Sequence, residues 1–156
     1  MEEIFHLGGR PDTVNYFHKE EDGAIIVDAV KDALDDVTDY VIKILRASHC
    51  TMKIMNDVRL VVEEIFINIC SYAYTPNIGR AEIRCWIEQG SVFLQFTDSG
   101  VPFDPLARPE VDTSGKMFLE KVGGFGIHLV KKVMDEVSYK YQNGQNVLCM
   151  REGIRK

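Results

Sequence analysis

One long stretch near the middle of the chain is apolar on almost every side. Residues Val61–Tyr74, with the sequence VVEEIFINICSYAY, predict the C-terminal part of a helix that runs from about Met52 to Tyr74. Glu64 and Asn68 are set into this stretch one helical turn apart, so they share a face. Burying a carboxylate and an amide is costly unless both find partners. We therefore expect a ligand to supply those partners.

Periodicity on either side of this helix predicts the rest of the fold. The turn signals Gln89-Gly90 and Asn143-Gly144 favour hairpins, and hence mainly antiparallel pairing. The other predicted elements are strand Ala24–Val30, a helix from Leu34 to His49, strands Ala81–Glu88 and Val92–Thr97, a long loop Val101–Val122, helix Gly126–Asp135 and strands Val137–Gln142 and Gln145–Arg151. This order predicts an α+β fold, a two-layer α/β sandwich with three helices on one face of a mostly antiparallel mixed sheet.

Length and charge restrict the classes of function. The chain has 156 residues, which fits one folded domain at 24–156 preceded by an N-terminal arm or edge strand at 1–23. A formal net charge of -6 argues against non-specific binding of nucleic acid, which needs a basic surface. We find no apolar run long enough for a membrane span and no signal-peptide pattern. The four cysteines form no zinc or redox pair, so a cytoplasmic, reducing location is expected.

Asp98-Ser99-Gly100 follows the predicted strand that ends at Thr97. An aspartate here can accept a hydrogen bond from an exocyclic amino group such as that of adenine, and Gly100 would let the backbone approach the base. The same tripeptide is also a common β-turn sequence. Taken alone, the motif leaves both interpretations open.

A glycine-rich stretch, Gly123-Gly124-Phe125-Gly126, precedes the third predicted helix. Backbone N–H groups at a helix start, with no side chains in the way, can bind phosphate. The alternative is a flexible hinge. The pattern lacks the Gly-Lys-Ser/Thr of a Walker A loop, and no strand leads directly into it as in a dinucleotide-binding motif.

Glu64 and Asn68 also allow two interpretations. They can be a structural pair that bonds to a neighbouring loop. Alternatively, the Asn68 side-chain oxygen holds a Mg²⁺ ion that also binds phosphate oxygens, because Mg²⁺ takes few protein ligands. Glu64 would then orient or deprotonate an attacking hydroxyl.

Three segments, taken in order, resemble a known superfamily. VVEEIFINICSYAY, DSGVPFDP and GGFGIHLVKKVMD resemble the N, G1 and G2 boxes of the GHKL superfamily, which includes gyrase, histidine kinases and MutL and has the Bergerat ATP-binding fold. Within it, the compact chain is similar to the bacterial anti-sigma-factor serine/threonine kinases over roughly residues 24–151.

The resemblance implies roles for individual residues. Asn68 is the Mg²⁺ ligand, Glu64 is the catalytic carboxylate and Asp98, beside Gly100, recognises the adenine of ATP. Gly124 and Gly126 contact the phosphates. Phe103–Val122 becomes the ATP lid. Apart from the resemblance, Lys116 or Lys121 in this segment is a candidate to reach a phosphate, although a lysine in a loop is usually only solvated.

Two positions depart from the family pattern. Tyr72 stands where many of these kinases have histidine, four residues after the asparagine. Cys149 stands where they often have threonine in the last strand, near the adenine aspartate. Because a thiol is a weaker hydrogen-bonding group than a hydroxyl, the second change would weaken adenine binding.

The resemblance also implies partners. The kinase would phosphorylate a small anti-sigma-factor antagonist of the STAS type, sequester a sigma factor, and form a homodimer. A second interpretation is a non-catalytic binding switch of the same fold, in which nucleotide only sets the shape of the mobile Phe103–Val122 segment. Transfer of phosphate to an antagonist separates the two interpretations.

Overall fold

A computed structural model describes residues 17–21, 23–74, 77–107 and 123–154. Most of the predicted lid, including Lys116 and Lys121, lies outside the described residues, as does most of the predicted N-terminal arm. Within the described ranges, no helix combines the length and the apolar character that crossing a bilayer requires.

The observed elements follow the predicted order, with one more strand at the start. They are β1 (Phe17–Glu21), β2 (Ala24–Asp28), α1 (Leu34–Ala47), α2 (Met52–Tyr72), β3 (Arg80–Glu88), β4 (Ser91–Asp98), α3 (Gly123–Val133), β5 (Glu136–Gln142) and β6 (Gln145–Gly153). Short 3-10 turns lie at Lys31–Ala33 and Pro105–Ala107. Thr51 caps α2 through its side-chain oxygen, which accepts the Ile54 N–H at 3.3 Å.

The strands form one six-stranded sheet in the order β1-β2-β3-β4-β6-β5. Each neighbouring pair of these described strands is antiparallel. Two hairpins close on the predicted dipeptides, in which Gln89, Gly90, Asn143 and Gly144 all have positive φ. Such turns match the twist of the flanking strands. Because β6 lies beside β4 and runs antiparallel to it, the first residues of β6 meet the end of β4.

One face of the sheet is buried and the other is partly open. Along β4 the side chains of Val92, Leu94 and Phe96 are buried, while Phe93 and Gln95 between them are half-buried. The buried side chains of the strands share one core with α1, α2 and α3. This alternation, with a single buried face, confirms the two-layer α+β architecture.

The C-terminal end of α2 packs tightly against the end of β4. Val101 donates its N–H to the Ala73 carbonyl oxygen at 3.0 Å. The Tyr74 hydroxyl donates to the Arg80 carbonyl oxygen at 2.6 Å and accepts the Ser99 N–H at 2.7 Å. A Cβ atom at Gly100 would lie 2.2 Å from the Ala73 carbonyl oxygen. The close approach of these two chain segments therefore requires glycine at position 100.

Gly100→Ala should lower the free energy of unfolding by about 2 kcal/mol or more, because the clash is with backbone that cannot rotate away. The measurement is a urea unfolding curve. Ser99→Ala is the control, since it removes an exposed hydroxyl from the same turn and should change stability by less than about 0.5 kcal/mol. Equal stability of the two variants would contradict the packing role of Gly100.

Candidate functional site

A cleft opens between the C-terminal half of α2 and the ends of β4 and β6 that lie beside it. Most of its wall is apolar, and a few polar groups converge on it, as in pockets for small molecules. The lining residues are Ile65, Asn68, Ile69, Tyr72, Ala73, Phe96, Asp98, Val101, Phe103, Pro105, Tyr139, Asn146 and Leu148. The cleft therefore brings together two of the predicted site residues, Asn68 and Asp98.

Asp98 is the last residue of β4 and is only 7% exposed. Its Oδ1 atom accepts the Gly100 N–H and a hydrogen from Asn146 Nδ2, each at 2.9 Å. Burial raises the pKa of the Asp98 carboxyl above its usual value, although both hydrogen bonds favour the charged form. The result is a buried hydrogen-bond acceptor in an otherwise apolar cleft.

Asn146 is a site residue that the sequence analysis missed. It is 6% exposed and is the register partner of Asp98 across β4 and β6. The sequence pattern predicts only that it belongs to the strand after the Asn143-Gly144 turn. The one usable signal is that Asn146 lies on the same face as Leu148 and Met150, where a polar side chain needs partners.

The prediction that Cys149 lies near the adenine aspartate is wrong. Cys149 pairs with Gln95, and its thiol lies 3.4 Å from Gln95 Oε1. It is three residues from Asn146 along β6, and an odd separation in a strand reverses the face. Cys149 therefore lies on the open face of the sheet, and its thiol has no bearing on the cleft.

Helix α2 presents the predicted polar pair along one side. Asn68 is half-buried and lines the cleft. Glu64 lies one turn earlier, also half-buried, and is not among the described lining residues. Partial burial, followed by the charge of Glu63, raises the pKa of Glu64. A carboxylate pKa moved toward neutrality suits a general base.

The predicted glycines have different structural settings. Gly100 packs against the end of α2, so the space beside it is filled by Ala73. Gly124 and Gly126 lie in the first turn of α3, which begins at Gly123, three residues before the predicted start. The first four N–H groups of a helix lack partners within the helix. Contact of these glycines with phosphate stays a prediction.

Tyr72 and Phe103 form an aromatic pair beside the cleft. Their ring centroids are 6.4 Å apart, and the ring planes are inclined by 21°. Tyr72 is the last residue of α2 and lines the cleft from the helix side. Tyr72 is thus part of an aromatic wall.

Helix α2 could bind Mg²⁺ only together with a ligand that supplies most of the oxygen atoms around the ion. The described residues contain no cluster of three or more His, Cys, Asp or Glu side chains that could hold a metal by itself. Asn68 supplies one amide oxygen at the cleft wall. A Mg²⁺ ion held mainly by phosphate oxygens and water requires no more than one or two such protein ligands.

Comparison with known proteins agrees with this geometry. The family model described as histidine kinase-like ATPase domain matches residues 27–152. The chain is 22% identical over 102 residues to the serine-protein kinase RsbW of Listeria monocytogenes serovar 1/2a. It is 29% identical over 93 residues to the serine/threonine-protein kinase BtrW of Bordetella bronchiseptica. These matches cover 62% and 58% of this chain and 65% of the length of each relative, just under two thirds.

A solved structure shares the fold. One chain in the crystal structure of the SiaB-SiaC complex from Pseudomonas aeruginosa superposes with a TM-score of 0.55 at 16% sequence identity. The match covers 81% of this chain and 88% of that one. Because the family model spans most of the sequence and the observed fold agrees with it, the chain belongs to the histidine kinase-like ATPase domain family.

Proposed function

We propose that this protein is a Mg·ATP-binding serine/threonine protein kinase of the anti-sigma-factor type. The observation that carries the proposal is the buried Asp98 carboxylate in an apolar cleft whose opposite wall carries Asn68. A carboxylate in that setting accepts hydrogen bonds and is repelled by other acceptor atoms. It therefore favours adenine, which has an amino group at the position where guanine has a carbonyl oxygen. The names of the related kinases support the same interpretation.

The cleft has the chemistry of a base pocket. Ile69, Phe96 and Leu148 provide apolar surface for the faces of a planar ring, and Asp98 provides an acceptor at its edge. Burial of the ring contributes roughly 25 cal/mol per Å² of apolar area removed from water. The hydrogen bond to Asp98 supplies selectivity, because a base with an acceptor at that edge would set two acceptors against each other and give the carboxylate no further donor.

The proposed transfer uses residues of α2. A serine or threonine hydroxyl oxygen of the partner attacks the γ-phosphorus of ATP, the bond between that phosphorus and the β–γ bridging oxygen breaks, and ADP leaves. Glu64 accepts the hydroxyl proton as that oxygen attacks. Asn68 would hold Mg²⁺, which neutralises phosphate charge when it is bound. The first-turn N–H groups at Gly124 and Gly126 would donate to the phosphates.

The proposed partners come from the kinase family. The substrate would be a STAS-type anti-sigma-factor antagonist, the protein sequestered would be a sigma factor, and the kinase would act as a homodimer in the cytoplasm. The related proteins are named as serine or serine/threonine kinases, and the similar solved structure is a complex of two different proteins. Both facts support a protein substrate.

A nucleotide-dependent binding switch is the second candidate. One observation favours it: the backbone of Phe103 is hydrogen-bonded to residues of the cleft, so the segment after β4 can respond to its occupant. In this alternative, ATP would change the affinity for a partner while no phosphate would be transferred. The Glu64 experiment below separates the two candidates.

Asp98→Asn should bind ATP at least about tenfold more weakly than wild type, because the new amide nitrogen turns a donor toward the base. Its oxygen can still accept from Gly100 and Asn146, so the variant should fold. The measurement is a thermal melt with Mg·ATP, Mg·ADP and Mg·GTP, where ligand at a hundred times its Kd stabilises by about 2.7 kcal/mol. Asp104→Asn, in an exposed turn, is the control. An unchanged ATP shift in Asp98→Asn would refute the base-recognition role.

The same variant makes a prediction about pH. Because burial raises the pKa of Asp98 in the folded state, folding favours the protonated carboxyl. The contribution of Asp98 to the free energy of unfolding therefore falls as pH rises through the folded pKa. Relative to wild type, Asp98→Asn should become more stable as pH rises, measured by urea unfolding without nucleotide. A loss of stability of Asp98→Asn relative to wild type as pH rises would contradict the raised pKa.

Glu64→Gln should still bind ATP but should transfer phosphate about 10²–10⁴-fold more slowly, because the amide cannot take up the hydroxyl proton. The measurement is transfer of ³²P from γ-labelled ATP to a panel of STAS-type antagonist domains. Glu88→Gln, at an exposed carboxylate at the end of β3, is the control. Undiminished transfer by Glu64→Gln would remove Glu64 from the mechanism, while ATP binding by wild type with no labelling of any domain would favour the switch.

Asn68→Ala should reduce the difference between ATP affinity with Mg²⁺ and with EDTA, because it removes the proposed protein ligand of the ion. Calorimetric titration of ATP under both conditions measures this difference. Asn56→Ala, at an exposed position of α2, should retain the wild-type Mg²⁺ dependence. Identical Mg²⁺ dependence in wild type and Asn68→Ala would mean that the ion is bound elsewhere.

A further inference from the structure

Asn146 uses every hydrogen-bonding position of its side chain. Its Nδ2 donates to Asp98 Oδ1 and to the Val101 carbonyl oxygen, both at 2.9 Å. Its Oδ1 accepts the Phe103 N–H at 3.0 Å and the Tyr139 hydroxyl. A carbonyl oxygen only accepts and a backbone N–H only donates, so the amide has one possible orientation. Four partners therefore determine the position of this side chain.

One arm of this network orients the Asp98 carboxylate. The Asn146 and Gly100 donors described above both bind Oδ1. Among the described residues, no donor to Oδ2 accompanies them, and Asp98 is one of the residues that line the cleft. The arrangement fixes the rotation of the carboxylate and keeps Oδ2 available to a ligand.

The other arm holds the chain that leaves β4. Val101 and Phe103 are both bonded to Asn146 through their backbone atoms, and we call Val101–Phe103 the loop root. The Phe103 N–H also points at the Tyr139 hydroxyl, 3.2 Å away. The Phe103 ring meets Tyr72 at the cleft. One buried side chain is thus shared by the base acceptor and the loop root.

We propose that Asn146 is a positioning residue that aligns Asp98 for the base and couples base binding to the conformation of the loop root. The inference rests on the proposed nucleotide site and adds a specificity determinant to it. A base that bonds to Asp98 Oδ2 holds the carboxylate in the orientation that Asn146 also requires. Binding therefore stabilises Asn146 and, through it, the backbone bonds at Val101 and Phe103. Coupling of this kind is reciprocal, so ordering of the loop root strengthens base binding.

The test compares Asn146→Ala with Gln95→Ala. Gln95 is a half-buried amide of β4 on the opposite face of the sheet, so its removal controls for loss of a buried polar group. Two quantities are measured on the whole protein: the Kd values for Mg·ATP and Mg·GTP by calorimetry, and hydrogen exchange of the Phe103 amide by NMR with and without Mg·ATP. A melt without nucleotide verifies folding of each variant.

Asn146→Ala should bind ATP at least tenfold more weakly, with a smaller ratio of ATP to GTP affinity. In wild type, Mg·ATP should slow exchange at the Phe103 amide, and this protection should disappear in Asn146→Ala. Gln95→Ala should match wild type in both measurements. A merely structural role for Asn146 would lower the melting temperature without changing nucleotide selectivity or the protection at Phe103.

Tyr139→Phe provides a milder variant that retains the aromatic ring. It removes one hydrogen bond to Asn146 Oδ1 and leaves the bonds from Asn146 to Asp98 and Val101. Its ATP affinity should lie between those of wild type and Asn146→Ala, and ATP should protect its Phe103 amide only partly. If Asn146→Ala fails to fold, the test rests on Tyr139→Phe. Wild-type ATP affinity together with full protection of the Phe103 amide in Tyr139→Phe would overturn the proposal.

The outcomes separate this inference from the proposed function. Wild type that binds no adenine nucleotide would overturn both. Wild type that binds ATP selectively, together with a folded Asn146→Ala variant that keeps the affinity, selectivity and Phe103 protection, would overturn the role of Asn146 alone. Reduced selectivity and lost protection in Asn146→Ala, with neither change in Gln95→Ala, would support it.

Discussion

The antiparallel register between β4 and β6 is the constraint on which the candidate site depends. It puts Asp98 opposite Asn146 on the buried face, where the two side chains hydrogen-bond. A buried carboxylate is costly, and the donors from Asn146 and Gly100 offset part of that cost without neutralising the charge. The same register lets Asn146 hydrogen-bond to the chain that follows β4, at the Val101 carbonyl oxygen. Shifting it by one residue would move Asn146 to the open face and dismantle the cleft wall.

Helix α2 completes the site because one set of its side chains packs on the sheet and another set provides polar groups at the cleft. Its apolar residues, such as Phe66, bind it to the sheet, while Asn68 faces the cleft and Glu64 precedes it by one turn. The tight junction at its C-terminal end, where Gly100 meets Ala73, sets the distance between α2 and the end of β4. Cleft width is therefore determined by backbone packing, which side-chain motion cannot readily alter.

Local patterns were sufficient for the elements and for part of the site. Periodicity predicted α2, the Asn143-Gly144 turn predicted the last hairpin, and motif order predicted that Asn68 and Asp98 would lie in one cleft. Alternation along β6 gives the face of Asn146 and Cys149, but the pairing of Asn146 with Asp98 depends on register, which a single sequence does not reveal. The packing reason for Gly100 is a contact between distant segments, and so was also invisible. The observed start of α3 at Gly123 precedes the predicted one, because glycines weaken helix propensity and so hide a helix start from the sequence pattern.

The central claim is that Asp98 recognises an amino group at the edge of a purine. It is tested most directly by comparing ATP with purine riboside triphosphate, which keeps the ring and phosphates but lacks that amino group. Calorimetric titration of wild-type protein with both nucleotides in Mg²⁺ measures the difference. The account predicts that the analogue binds at least about tenfold more weakly, because the Asp98 carboxylate loses the hydrogen bond from the base. Equal affinity for the two nucleotides would contradict it.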